Sequence, residues 1–142
     1  MVDIYSSSNF EKEFETEVIE RGNKVKLVIA DVDGVLTDGS VYKAKDPETL
    51  ADIEFKQFSI VDGAGIALAR LLDLRVAIIS GRRSSATDAR AKELKIEDVY
   101  NGSLNKMTPY EDLKSKYSLN DEDIAFIGDD IIDLNLMENV GA

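Results

Sequence analysis

The sequence contains no cysteine and no histidine. Without cysteine there are no disulfides, no thiolate nucleophiles and no thiolate metal ligands, and the redox compartment leaves no trace in the composition. The missing histidine is more restrictive. It removes the usual general base, the usual zinc ligand and every Ser-His or Cys-His nucleophile pair, so carboxylates, hydroxyls, lysine and arginine must carry any chemistry. Positive charge is also scarce: 17 Lys and Arg stand against 28 Asp and Glu, a formal net charge of −11. That balance argues against a nucleic acid or an anionic membrane as partner, because a phosphate backbone needs a basic patch to displace its counterions. A metal cation is the more natural guest. No apolar run approaches membrane-spanning length, and the amino terminus lacks a basic-then-apolar signal pattern, so the expected location is the cytoplasm.

What is present describes one soluble globular domain of 142 residues, 44 % apolar and 32 % charged, long enough to bury a core. Its organising stretch is Val25 to Gly39, VKLVIADVDGVLTDG. The apolar, mostly β-branched run Val25 to Ala30 predicts a buried strand of a parallel sheet that ends in Asp31 and Asp33. Side chains alternate along a strand, so both carboxylates can emerge at its carboxyl end toward one crevice, where open α/β sheets place their ligands. Gly34 permits a sharp turn. An isolated Asp-x-Asp-Gly is as readily a plain acidic turn, but DVDGVLTDG is a more specific string.

Before it, Phe10, Phe14 and Val18 recur every fourth residue behind a serine cap, predicting a short amphipathic helix within a helical extension over residues 1–23. After it, Ser40 to Lys43 and Asp52 to Phe58 flank the turn-like Lys45 to Glu48 and predict a hairpin projecting from the sheet. Ile66, Leu68, Ala69, Leu71 and Leu72 predict a helix buried on one side, with Asp62 at its amino-terminal boundary. A second buried strand, Arg75 to Ile79, runs into Ser80, Gly81, Arg82 and Arg83. Strand, small hydroxyl, glycine and helix form a phosphate-friendly arrangement, although a Ser-Gly turn capping the helix Ser84 to Leu94 accounts for the same residues. A short strand at Asp98 to Tyr100, Lys106 in a loop and a helix from about Thr108 to Tyr117 follow. A lone lysine is ordinarily solvated. The last strand, Ile124 to Ile127, ends in Gly128, Asp129 and Asp130, with Asp133 beyond.

Repeated β-α alternation makes the sheet parallel, so three strands deliver polar residues to one edge. Four or five converging carboxylates without histidine suit a hard cation with oxygen ligands, magnesium in particular. Left unpaired, they would repel one another.

The set DVDGVLTDG, IISGRR, Lys106 and IGDDIID resembles the four motifs of the haloacid dehalogenase superfamily of phosphotransferases. From about Lys24 to Gly141 the chain resembles the capless 3-deoxy-manno-octulosonate 8-phosphate phosphatases and their sialic-acid-type relatives. The resemblance implies a three-layer, Rossmann-like α/β sandwich over residues 24–142, with a central parallel sheet and a small β-hairpin flap, about 40–58, after the first strand. It implies a magnesium-dependent phosphatase of phosphorylated sugars or sugar acids, with a place in lipopolysaccharide biosynthesis. Asp31 would be the nucleophile that forms a phosphoaspartyl intermediate, and Asp33 the acid and then the base, starting protonated and lending its backbone carbonyl to the metal. Ser80 and the backbone N–H of Gly81 would hold the phosphoryl oxygens while Lys106 neutralises charge. Asp31, Asp33 and Asp129 would ligate magnesium, with Asp130 or Asp133 orienting waters or Lys106.

The same resemblance puts Ser59, Asp62, Gly63, Gly81, Arg82 and Arg90 around the substrate. Val61 and Ala67 stand where the family carries arginines, while the pair Gly81-Arg82 matches the octulosonate branch. The flap, with Val41, Tyr42, Ile53 and Phe55 exposed, would pack into a homotetramer. Family members continue past Gly141 with another strand, a helix and a glycine-rich tail, so the carboxyl end is shorter than the family's. Two other functions share some of these features. A phosphoacceptor receiver domain uses similar groups, but there the acidic pair comes first and the lysine last, whereas here Lys106 precedes Asp129. A non-catalytic relative acting as an oligomeric or regulatory partner is the other.

Overall fold

The computed structural model describes residues 16–142. The predicted serine cap and the first turns of the amino-terminal helix lie outside the described residues, and the helix is described from Thr16 to Gly22 (α1). Four parallel strands follow in the order β5-β4-β1-β6: β1 Leu27–Ala30, β4 Arg75–Ser80, β5 Asp98–Asn101 and β6 Ile124–Ile127. β1 pairs Leu27 with Arg75 on one side and with Ile124 on the other, so its tip lies between those of β4 and β6.

Side-chain alternation splits the sheet between two cores. Leu27, Ile29, Ala77, Ile79, Ile124 and Phe126 pack against Tyr110, Leu113 and Leu136 from α4 (Met107–Tyr117) and α5 (Leu134–Met137). Val32 and Ile78 face Ala91 and Ile96, with Ile66 and Leu94 beside them, from α2 (Ile60–Leu71), α3 (Ser85–Leu94) and the turn after it. The result is the expected helix-sheet-helix sandwich. Chain connections leave β1 toward β4 on one side and return to β6 on the other, so β1 is the switch point whose carboxyl end forms a crevice.

The flap is a separate two-stranded antiparallel sheet of β2 (Tyr42–Lys45) and β3 (Asp52–Phe55). β2 begins later than predicted because residues 38–40 form a turn. There the Ser40 N–H donates to Asp38 Oδ1 at 2.9 Å, and Gly39 sits at φ +79°. Asp46 closes the far end by accepting the N–H groups of Glu48 and Thr49. β3 stops at Phe55, and Phe58 forms an isolated bridge to Thr37.

Two expectations about α2 need correction. Its cap is Ser59, whose hydroxyl accepts the N–H groups of Val61 and Asp62, so the helix starts earlier and Asp62 lies in its first turn. Nor is it buried along one side: Gly63 is its one buried residue, Ile66 is partly buried, and Ile60, Val61, Leu68 and Leu71 are open to solvent with Leu72 beyond them. Flap Ile53 is half-buried rather than exposed, while Val41, Tyr42 and Phe55 are exposed as expected.

Candidate active site at the strand tips

The turn after β1 is wound around one carbonyl and one hydroxyl. The N–H groups of Val35, Leu36 and Thr37 converge on the Val32 carbonyl, and Thr37 Oγ1 donates to that carbonyl while accepting from Gly34 and Gly39. Gly34 has φ +92°, and a Cβ there would lie 1.8 Å from Asp129 Oδ2, so glycine is required both by conformation and by the approach of the β6 loop. The Asp31 N–H donates to the Ile127 carbonyl at 2.9 Å, tying the tips of β1 and β6 together.

Asp31, Asp129 and Asp133 each offer an oxygen within 4.8 Å of the others'. Lys106 Nζ reaches into this group, 2.9 Å from Asp31 Oδ1 and in contact with Asp133 Oδ1, and its side chain is buried. Lys106 occupies the amino-terminal cap of α4, where the helix dipole disfavours a cation. The two carboxylates offset that field. Burial pushes the Asp31 carboxyl above its ordinary value, opposed by its bond to Lys106 and reinforced by the charge of Asp133.

Asp133 is wholly buried and its Oδ2 accepts the N–H groups of Asp129 and Asp130 at 3.0 and 3.1 Å, shaping the loop after β6. Asp130 instead accepts from the Ile131 N–H at 2.6 Å and stays in its own turn. Of the two aspartates left as alternatives, Asp133 touches Lys106.

Ser80 is 1 % exposed at the tip of β4; its hydroxyl donates to the Arg82 carbonyl at 3.1 Å, and its own carbonyl receives Gly102 and Ser103. A Cβ on Gly81 would meet Ile132 at 2.7 Å, so this turn packs directly on the β6 loop. Asn101 clamps the turn from the β5 side, accepting from Ser84 N–H and donating to Ser84 O and Asp88.

Asp33 lies apart from the three-carboxylate group. Its Oδ1 is 2.6 Å from Lys56 Nζ and its Oδ2 3.6 Å from Arg82 Nε. Arg82 Nη2 in turn meets Glu54 Oε2 at 2.5 Å. Lys56 and Glu54, both on the flap, are site residues that the sequence reading missed. Their spacing of two, which puts both on one face of an extended segment, was the available signal.

Arg90 is engaged elsewhere: it donates to the Ser59 carbonyl at 2.8 Å, pairs with Glu93 and lies over the Phe58 ring. A Cβ on Gly63 would come within 2.8 Å of its guanidinium, so Ser59, Gly63 and Arg90 form a packing joint between α2 and α3. Asp62 stands beside that joint. A cavity of about 350 Å³ lined by Arg70, Arg75, Leu94 and Tyr117 opens at the opposite, amino-terminal edge of the sheet, away from all these groups.

The donor set fits a divalent cation. Five carboxylates, Asp31, Asp33, Glu54, Asp129 and Asp133, face three cations, Lys56, Arg82 and Lys106, leaving two negative charges in excess. Lys106 is the one cation set against Asp31 and Asp133 among the described residues, and every candidate ligand is a hard oxygen.

No model of a known protein family matches the chain. Individual relatives do. It is 40 % identical over 125 residues to 3-deoxy-D-manno-octulosonate 8-phosphate phosphatase KdsC of Escherichia coli K12, covering 88 % of this chain and 64 % of that protein. The chain thus spans less than two thirds of the length of the curated relatives it matches first. Among solved structures it is similar to one described as a HAD superfamily (subfamily III A) hydrolase from Legionella pneumophila, with TM-score 0.81, 36 % identity, 95 % of this chain and 70 % of that one. It is also similar to 3-deoxy-D-manno-octulosonate 8-phosphate phosphatase from Moraxella catarrhalis, in complex with magnesium, phosphate and a KDO molecule, with TM-score 0.81, 34 % identity and coverage of 90 % and 71 %.

Proposed function

The chain belongs to the haloacid dehalogenase superfamily, in the group of the 3-deoxy-D-manno-octulosonate 8-phosphate phosphatases, and from that premise we propose that it is a magnesium-dependent phosphomonoesterase acting on a phosphorylated sugar or sugar acid. The observation that carries this reading is the convergence of Asp31, Asp129 and Asp133 to within 4.8 Å of one another, with buried Lys106 against Asp31 and Asp133. The relative solved with magnesium, phosphate and KDO supports the choice of ion and substrate class.

Asp31 and Asp129, with the Asp33 backbone carbonyl, would hold the ion, and the chemistry it would supply there is neutralisation of phosphoryl oxygens so that an anionic nucleophile can approach. The Asp31 carboxylate attacks phosphorus in line. The P–O bond to the sugar breaks, the leaving oxygen takes a proton that Asp33 must first acquire on Oδ2, the oxygen 3.6 Å from Arg82, while Oδ1 stays with Lys56, and a phosphoaspartyl ester remains on Asp31. Asp33 then takes a proton from the water that attacks that phosphorus, regenerating the Asp31 carboxylate and releasing phosphate. Lys106 balances charge on Asp31 and the phosphoryl group, while Ser80 and the Gly81 N–H hold its oxygens. For Ser80 this requires its hydroxyl to leave the Arg82 carbonyl it meets at 3.1 Å. Arg82 is the cation nearest Asp33 available to a substrate carboxylate, in exchange for Glu54.

Assembly belongs to the same reading. Val41, Tyr42 and Phe55 of the flap and Ile60, Val61, Leu68 and Leu71 of α2 leave apolar area open, and burial against further copies in a homotetramer removes it from water.

The test is phosphate release from a panel of phosphorylated sugars and sugar acids, including 3-deoxy-D-manno-octulosonate 8-phosphate, with and without magnesium. Asp31→Asn is the control. Magnesium-dependent turnover that the substitution abolishes is expected; equal, slow hydrolysis by both proteins refutes the proposal.

A further inference from the structure

We propose that Lys56 is a positioning residue: with Glu54 it makes the return strand of the flap a working part of the site by fixing the Asp33 carboxylate and, through Arg82, the turn after β4. The inference rests on the phosphatase reading for what Asp33 does, but the contacts that carry it do not.

Glu54 and Lys56 are two residues apart in extended backbone and point the same way, whereas Phe55 between them is 54 % exposed. Lys56 has a side-chain exposure of 0 %, and lysine is almost never fully buried without a partner. Its partner is Asp33 Oδ1 at 2.6 Å. The other Asp33 oxygen faces Arg82 Nε at 3.6 Å, and Arg82 Nη2 meets Glu54 Oε2 at 2.5 Å. These four charges run in a chain, Lys56 to Asp33 to Arg82 to Glu54, closed into a ring by the flap backbone that joins Glu54, in β3, to Lys56 just beyond it. The ring joins three segments distant in sequence: the turn after β1, the turn after β4 and the flap.

All four residues of β2 are exposed; β3 is half-buried at Ile53 and Glu54 where it lies against α3, and beyond it an isolated bridge ties Phe58 to Thr37. A buried ammonium left without its carboxylate is strongly unfavourable, so the flap keeps its place only while Asp33 points toward it, and Asp33 keeps its direction only while the flap is seated. A group that exchanges a proton with substrate must lie within hydrogen-bond reach of the reacting oxygen, and small displacements cost rate. Lys56 thus acts through Asp33. Among the described residues its ion pair is with Asp33, and it makes none with Asp31 or Asp129.

The experiment compares Lys56→Met and Lys56→Arg with wild type, each alone and combined with Asp33→Asn, using p-nitrophenyl phosphate and magnesium. General acid-base catalysis contributes about 10²- to 10⁴-fold, so losing its alignment should lower kcat roughly 10- to 100-fold while KM stays within about twofold. Lys56→Arg should recover most of the loss. With Asp33→Asn already present, Lys56→Met should change kcat by less than about threefold, because the group it positions is gone. An unaltered kcat in Lys56→Met, or a loss undiminished in the Asp33→Asn background, overturns the proposal. Should Lys56→Met fail to fold, Lys56→Gln serves the same comparison.

Hydrogen exchange across residues 42–55 decides the proposal independently of turnover. Lys56→Met and Asp33→Asn should each speed exchange there to a similar extent, and no change in either refutes it. If wild type shows no hydrolysis, the phosphatase reading falls while exchange still decides whether Lys56 holds Asp33.

Discussion

Replacing the central carboxylate should stabilise the metal-free protein even as it destroys activity. Asp31 lies 2.9 Å from Lys106, and its oxygen is within 4.8 Å of oxygens of Asp129 and Asp133. At an effective dielectric constant of about 20, the attraction is on the order of 6 kcal/mol and each repulsion at least about 3.5 kcal/mol, so the two repulsions together offset the attraction. Burial then tips the balance against the charged form, in keeping with a carboxyl held above its ordinary value of 3.8. Asp31→Asn removes that penalty and leaves Lys106 paired with Asp133. The charge terms leave a net of about 1 kcal/mol against the ion, so the gain should be of that order, or about 2 to 4 °C in Tm for a chain of this size. The sign follows from the raised value: below pH 3.8 both folded and unfolded chains carry a protonated Asp31 and the variants should melt alike. As pH rises the unfolded chain ionises first, wild type loses stability, and above the raised folded value the gap is full. Added magnesium should reverse the order, because wild type gains binding energy that Asp31→Asn largely forfeits, about 2.7 kcal/mol at a hundredfold excess over Kd. Thermal melts in a chelator and in excess magnesium, near neutral pH and near pH 3, measure all of this. A metal-free Asp31→Asn protein that melts several degrees below wild type near neutral pH would show that Asp31 is net stabilising, and the account of the cluster would be wrong.

Gly34→Ala should be severe for so small a change. The new methyl meets Asp129 Oδ2 at 1.8 Å and forces a positive φ on alanine, so we expect a loss of about 1 to 3 kcal/mol in stability together with weakened magnesium-induced stabilisation, both read from melts. Asp123 tests the far end of β6. Lys26 and the Asn120 N–H hold its carboxyl below 3.8, so its contribution is present above that pH and lost as pH falls through the lowered value. Asp123→Asn should therefore melt below wild type at neutral pH, with the gap closing in acid; a gap that widens in acid contradicts the assignment.

The sheet was legible because three of its four strands, β1, β4 and β6, are short apolar runs that end abruptly in polar residues, a pattern that fixes both direction and edge. Asp31, Ser80 and Asp129 could be picked out on that basis, whereas Lys106, outside any strand, was marked only by the resemblance to the haloacid dehalogenase motifs. The choice between Asp130 and Asp133 could not, since it depends on which carboxylate folds back onto its own loop. Arg90 was placed near the substrate by the resemblance alone, and no sequence pattern records that its guanidinium donates to the Ser59 carbonyl. Leu68 and Leu71 read as core because apolarity says nothing about whether a helix face meets its own chain. Lys56 escaped for a related reason: its partner is more than twenty positions earlier, and no periodicity links a flap to a turn.

The clamp at Asn101 has a consequence for how the protein ages. Asn101 precedes Gly102, the dipeptide most prone to succinimide formation, in which the following backbone nitrogen attacks the side-chain carbonyl and ammonia departs. In the native fold both reacting parties are occupied: the Gly102 N–H donates to Ser80 O at 2.9 Å, and the Asn101 amide donates to Ser84 O and Asp88. Time spent unfolded removes that protection. A molecule that deamidates then refolds with an aspartate facing Asp88, unable to donate to Ser84, so a history of unfolding is written into the loop beside Ser80.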